Sequence, residues 1–128
     1  MIAALALPNR AAAQHAAART LSTTERNIAS AVDTHNAQAL ALLEQLVDIN
    51  SGTTNFAGVR HVADILAAQF DSLGFTTQWV DGSSFHRAGH LMAVHKGPGP
   101  KLLIIGHLDT VFDLDNPFQK FERLDDST

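Results

Sequence analysis

Between residues 22 and 111 the apolar positions of this chain change period from helical to alternating to continuous, and each pattern predicts an element. Ile28, Val32, His35, Ala39, Leu42 or Leu43, and Leu46 recur at spacings of three and four, which lays one stripe along several turns of helix and predicts that this face is buried. Ser22 and Glu25 stand three apart just before the stripe, the spacing of a capping box, so folded structure is expected to begin at Ser22. Asp48 to Asn55 then gathers turn-forming side chains around Gly52 and reads as a loop that ends one helix and caps the next. Val59, Val62, Ala63, Leu66, Phe70 and Leu73 return to helical spacing, and Gly74 follows where a left-handed cap residue is wanted. A second helix is expected from about Ala57 to Leu73.

Beyond Gly74 the period shortens towards two. Phe75 to Val80 is rich in β-branched and aromatic residues with partial alternation, as a half-exposed strand requires, and Leu91 to Val94 is a second strand candidate. After the stiff Gly97-Pro98-Gly99-Pro100 turn, Leu102-Leu103-Ile104-Ile105 is apolar without alternation, the pattern of a strand covered on both faces. The fold class read from this order is α/β: two N-terminal helices, then strands of a mixed, largely parallel sheet, forming the opening, incomplete part of a layered domain.

Composition narrows the chemistry. The chain has 128 residues, 45% of them hydrophobic and 17% charged, values of a globular rather than a disordered chain. A net charge of −4 with no cluster of Lys or Arg leaves no electrostatic footprint for nucleic acid or an acidic membrane surface. No apolar run approaches the ~20 residues needed to span a bilayer. Without cysteine, any metal would have to be held by His and carboxylate. Residues 1 to 20 read either as the remnant of a secretory signal or as an Ala-rich tail. Met1 to Leu7 is briefly apolar and Ala11-Ala12-Ala13 follows Pro8, but no basic start precedes them. A periplasmic or secreted location follows from the first alternative and a cytoplasmic one from the second; residues 21 to 128 are the part expected to fold.

The apolar run leads into Gly106-His107-Leu108-Asp109-Thr110. Residues two apart in an extended chain face the same side, so His107 and Asp109 would project together while Leu108 turns away. A metal-binding His commonly passes its second ring N–H to a carboxylate, which makes His107 a candidate ligand and Asp109 its orienting partner. The other reading of the pair is a strand-end His and a turn-capping Asp. Asp113, Asp115 and the Asp125-Asp126 pair read as solvated turn residues, and His35, His61, His90 and His95 as structural or surface residues.

Leu102 to Val111 closely resembles the first signature of the M20 metallopeptidases: apolar strand, small residue, His, apolar residue, Asp, Thr or Ser, Val. The upstream order agrees, with a helix through Leu42 to Ile49, the Asn50-Ser51-Gly52-Thr53 loop, and a helix ending at Leu73-Gly74-Phe75. The resemblance covers roughly Glu25 to Asp126 and is nearest the glutamate carboxypeptidase-like branch. It implies that His107 is a zinc ligand and that Asp109, assigned to the catalytic group, orients it. It further implies two Zn2+ ions per complete site, whose other ligands lie in later sequence, and a small peptide or N-acyl amino acid as substrate. The function implied is removal of a C-terminal residue such as glutamate, or deacylation, by a longer, homodimeric parent of which this stretch is an N-terminal, inactive fragment, with residues 21 to 128 forming the first part of its catalytic domain. The alternative is a non-catalytic binding or regulatory module on the same scaffold.

Overall fold

A computed structural model describes residues 20–125, so the expectations for residues 1–19 and for Asp126 lie outside the described residues. The chain divides into two compact units, one ending at Asn36 and the other running from Ala37. Helix α1, Thr23–Val47, extends through both ranges. It begins as expected: the Ser22 N–H donates to Glu25 Oε2 at 2.6 Å while the Glu25 N–H donates to Ser22 Oγ at 3.2 Å, a reciprocal capping box. The bond from the Ser22 N–H holds the Glu25 carboxyl below its ordinary pKa.

The buried face expected of α1 is not found. None of its residues is buried, and Ile28 and Val32 are 59% and 62% exposed. Half-burial is confined to Leu40, Leu42, Leu46 and Val47, near its end. Periodicity records that a helix could cover a neighbour; burial requires that a neighbour be there.

Within the second unit, helix α2 spans Phe56–Ser72. Asn55 is its N-cap, its side-chain oxygen accepting the Gly58 N–H at 3.2 Å. Its far end is a Schellman motif. Gly74 adopts φ +82°, its N–H reaches Asp71 O at 3.0 Å, and the Phe75 N–H reaches Phe70 O at 3.1 Å. The hydrophobic contact that usually accompanies this motif is the Phe70–Phe75 ring pair, 5.3 Å between centroids.

Phe75 leads directly into β1, Thr76–Asp81, which pairs with β2, Gly89–Val94. Both strands alternate half-buried and exposed positions over most of their length, and the register sets Trp79 opposite Leu91 and Thr77 opposite Ala93 on the half-buried side. Helix α2 lies against both strands. Its Val59, Val62 and Ala63 are the buried apolar side chains among the described residues, and each valine contributes about 1.5–3 kcal/mol by leaving water. The Arg60 guanidinium sits 4.7 Å over the Trp79 ring.

The structure is thus mixed α/β, but the sheet is not largely parallel. Among the described residues it has two strands and they are antiparallel. The cause is the connection: residues 82–88, with a short 3-10 turn at Ser83–Phe85, return the chain at once, whereas a parallel pair needs a crossover of a dozen or more residues. Parallel pairing appears among the described residues as an isolated bridge, Gly52 with Thr110.

Nor does the expected third strand form among the described residues. Leu102, Leu103, Ile104 and Ile105 join no ladder and are 80–86% exposed. A cavity of about 840 Å³ lies between this run and the faces of α2 and β2, lined among others by Leu66, Phe70, Leu91 and Ala93. An unalternating apolar run is buried only where strands flank it and layers cover it, and no described residue does either. No helix among the described residues is long and apolar enough to cross a membrane.

Candidate functional site

The candidate site is assembled where the 50–55 loop meets residues 107–112. Asn50 organises the loop. Its Nδ2 donates to Phe112 O at 3.0 Å and to Gln119 Oε1 at 2.9 Å, and its Oδ1 accepts the Gly52 N–H and Asn55 Nδ2, each at 3.2 Å. Gln119 is held in turn by Asp113 O and Asn116 O, and the Phe112 and Phe118 rings meet 4.8 Å apart.

Gly52 then brings two backbones into close approach. A Cβ there would fall 2.6 Å from Phe112 O, a distance no side chain tolerates. This closeness lets the Thr110 N–H donate to Ser51 O at 2.8 Å and the Thr53 N–H donate to Thr110 O at 3.1 Å. A turn closed by the Asn55 N–H on Gly52 O, 2.8 Å, directs the Thr53 side chain onto Asp109.

His107 and Asp109 are brought together. His107 Nδ1 is 2.6 Å from the main-chain oxygen of Asp109 and 3.5 Å from its Oδ1. A carbonyl oxygen can only accept, so Nδ1 carries the proton in this bond. In the neutral ring Nε2 is therefore the free lone pair. The His107 side chain is 83% exposed and that of Asp109 37%. Leu108, between them, is half-buried.

The Asp109 carboxylate divides its oxygens. Oδ2 accepts the Thr53 hydroxyl at 2.7 Å, leaving Oδ1 towards His107. The Thr53 bond holds the Asp109 carboxyl below the ordinary aspartate range, outweighing the upward push of partial burial. Beneath the pair is a cavity of about 270 Å³, lined mainly by apolar groups including Leu46, Ile49, Val62 and Leu66.

This pair is not delivered by a buried strand. The residues before it are extended, solvent-exposed and unpaired, and a Cβ on Gly106 would meet nothing within 4 Å.

Part of the chain is similar to a carboxypeptidase. Over 71 residues it is 34% identical to carboxypeptidase G2 of Pseudomonas sp. (strain RS-16). Those residues are 55% of this chain and 17% of that protein, so the chain spans about a sixth of the length of its curated relative. No family model matches the chain, and no solved structure matches it.

The donor chemistry suits a metal at one position. A neutral imidazole open to solvent at Nε2, with its other nitrogen hydrogen-bonded, is the form in which His binds zinc. A closed site needs three or four protein ligands, and among the described residues no group of three His, Cys, Asp or Glu side chains could hold an ion. Asp113 instead receives the Thr54 hydroxyl at 3.3 Å, and the main-chain oxygen of Asp125 receives Arg123 Nε. The His35 ring bonds to its own helix at Ala31 O, and His95 stands edge-on to Phe75.

Sequence reasoning gave no role to Thr53 or Asn50. Both sit in a loop that reads as turn chemistry, and their partners lie 56 to 69 residues away. The signal was limited to the presence of hydrogen-bonding side chains in the turn.

Proposed function

We propose that this chain carries the first metal-binding element of a zinc-dependent hydrolase of amide bonds, of the M20 carboxypeptidase or deacylase kind. The observation that carries the reading is His107, with its Nδ1 tied back to Asp109 and its Nε2 open, inside a segment that resembles the first M20 signature. Similarity to a carboxypeptidase supports it. His107 would be a ligand, and Asp109 would orient it through the main-chain oxygen and Oδ1. Zinc at such a site polarises a carbonyl and acidifies bound water. Because these residues offer one ligand and its partner, the remaining ligands and the general base belong to further sequence of a longer parent, and no hydrolytic step is assigned to the 128 residues themselves. The substrate of the parent is a small peptide or N-acyl amino acid.

The test uses the longest protein encoded around this sequence, assayed for zinc-dependent release of a C-terminal amino acid from N-acyl dipeptides and for deacylation of N-acyl amino acids. His107→Ala is expected to lower kcat/KM by more than the about 10–100-fold typical of losing a group that merely supports a ligand. Undiminished activity in His107→Ala would refute the reading. Such a result with a defined protein partner co-purifying would favour a non-catalytic module.

A further inference from the structure

We infer that Thr53 is a positioning residue for the metal-binding pair, its hydroxyl holding the Asp109 carboxylate so that His107 presents Nε2 outward. The inference rests on the zinc-ligand reading of His107. Thr53 grips the 109–110 segment at two points: the hydroxyl meets Asp109 Oδ2 at 2.7 Å, and the N–H meets Thr110 O at 3.1 Å. The hydroxyl also lies 3.2 Å from Thr110 O. It has one proton to give, and the shorter contact to a charged acceptor takes it.

The consequence for His107 is geometric. A carboxylate free to rotate could turn either oxygen to the imidazole or away from it. With Oδ2 fastened to Thr53, the oxygen left facing His107 Nδ1 is Oδ1, at 3.5 Å. The second grip fixes the backbone on which Asp109 O, the closer partner of Nδ1 at 2.6 Å, is carried. Both oxygens that define the ring's orientation are thus placed from a loop 54 residues upstream of His107, and the neighbouring residues before His107 contribute no such restraint, being exposed and unpaired. The adjacent Thr54 provides an internal comparison, since its hydroxyl is directed to Asp113 instead.

The test is a titration of the full 128-residue chain with Zn2+ alone, followed by NMR of the histidine rings so that His107 is read separately from the others. Thr53→Val keeps the shape and removes the hydroxyl; Thr53→Ser keeps the hydroxyl. Thr53→Val is expected to weaken Zn2+ binding at His107 about tenfold, at the low end of the range for groups that support a ligand, and to shift the His107 ring nitrogens towards a mixture of tautomers. Thr53→Ser should restore binding to within about twofold of the parent, and Thr54→Val should leave it unchanged. The amide shifts of Gly52 and Thr110 report whether the bridge has survived in each variant. If Thr53→Val binds as the parent does while His107→Ala does not bind, Thr53 has no positioning role and the zinc-ligand reading stands. If Thr53→Ser is as weak as Thr53→Val, the hydroxyl is not the cause and the inference is likewise overturned. If His107→Ala leaves the Zn2+ response of the chain intact, the reading of His107 fails and the role of Thr53 fails with it.

Discussion

Replacing Leu103 and Ile105 together with serine separates what the apolar run promises from what it does. Fully burying such a side chain contributes about 1.5–3 kcal/mol. Leu103 is 80% exposed and Ile105 84%, so about a fifth of that, roughly 0.3–0.6 kcal/mol each, is at stake. The double variant should lose about 1 kcal/mol or less. Were the run a strand covered on both faces, each truncation would cost about 2–5 kcal/mol, enough in sum to unfold a domain of this size. Val62→Ala, at a position 6% exposed on the inner face of α2, provides the scale and should cost about 2 kcal/mol. Urea denaturation followed through Trp79, the one tryptophan of the chain, reads the difference: with slopes of about 1–3 kcal/mol per molar urea, Val62→Ala should move the midpoint clearly further than the double serine variant. A double variant that unfolds at lower urea than Val62→Ala would refute the exposed placement of the run. Binding of a hydrophobic dye should also fall in the serine variant, since four adjacent exposed apolar side chains are removed to two.

Asn50→Ala removes four hydrogen bonds that join the 50–55 loop to itself and to Phe112 and Gln119; at about 1 kcal/mol net for each the expected loss is 2–4 kcal/mol, and hydrogen exchange at the Thr110 amide should accelerate markedly. Asp48 accepts the Phe121 N–H at 2.9 Å, with Lys120 Nζ at 3.4 Å, and the Phe121 bond first of all holds its carboxyl below the ordinary value of 3.8. A depressed folded pKa means a tether present above the unfolded value and lost as pH falls through the folded one, so the Phe121 amide resonance should titrate with a midpoint below 3.8; a midpoint at or above 3.8 would refute the bond.

What could be read from sequence were the interactions that close within a few residues. The Ser22–Glu25 box, the Asn55 cap and the Gly74 turn each join residues three to five apart, so their chemistry and spacing are visible together. The half-exposed β1 was legible for the same reason, because alternation is a local property. Burial is not local. The stripe of α1 and the run at Leu102–Ile105 have the composition of covered elements and lack the cover. The parallel sheet was an extrapolation from that run, and without its pairing the hairpin's antiparallel ladder is what the chain forms. At the site, the pairing of His107 with Asp109 followed from their separation by two, but the hand that holds Asp109 did not: Thr53 is 56 residues away, and nothing in a run of turn-forming residues says where a hydroxyl will point.

His107 is held from one side only. The residue is restrained from its C-terminal side, where Asp109 and Thr110 are fastened to Ser51 and Thr53, and is left unrestrained from its N-terminal side, where Leu102 to Gly106 touch no ladder. Fixing one residue's backbone costs about 1–2 kcal/mol of conformational entropy, and a metal ligand that is not already held must meet that cost on binding. Metal affinity at His107 should therefore rise if the 102–105 run is paired by any added strand, without change to a single ligand atom. The zinc chemistry proposed for the parent and the pairing of this exposed run are on this argument one problem: whatever orders Leu102–Ile105 also tightens the hold on His107.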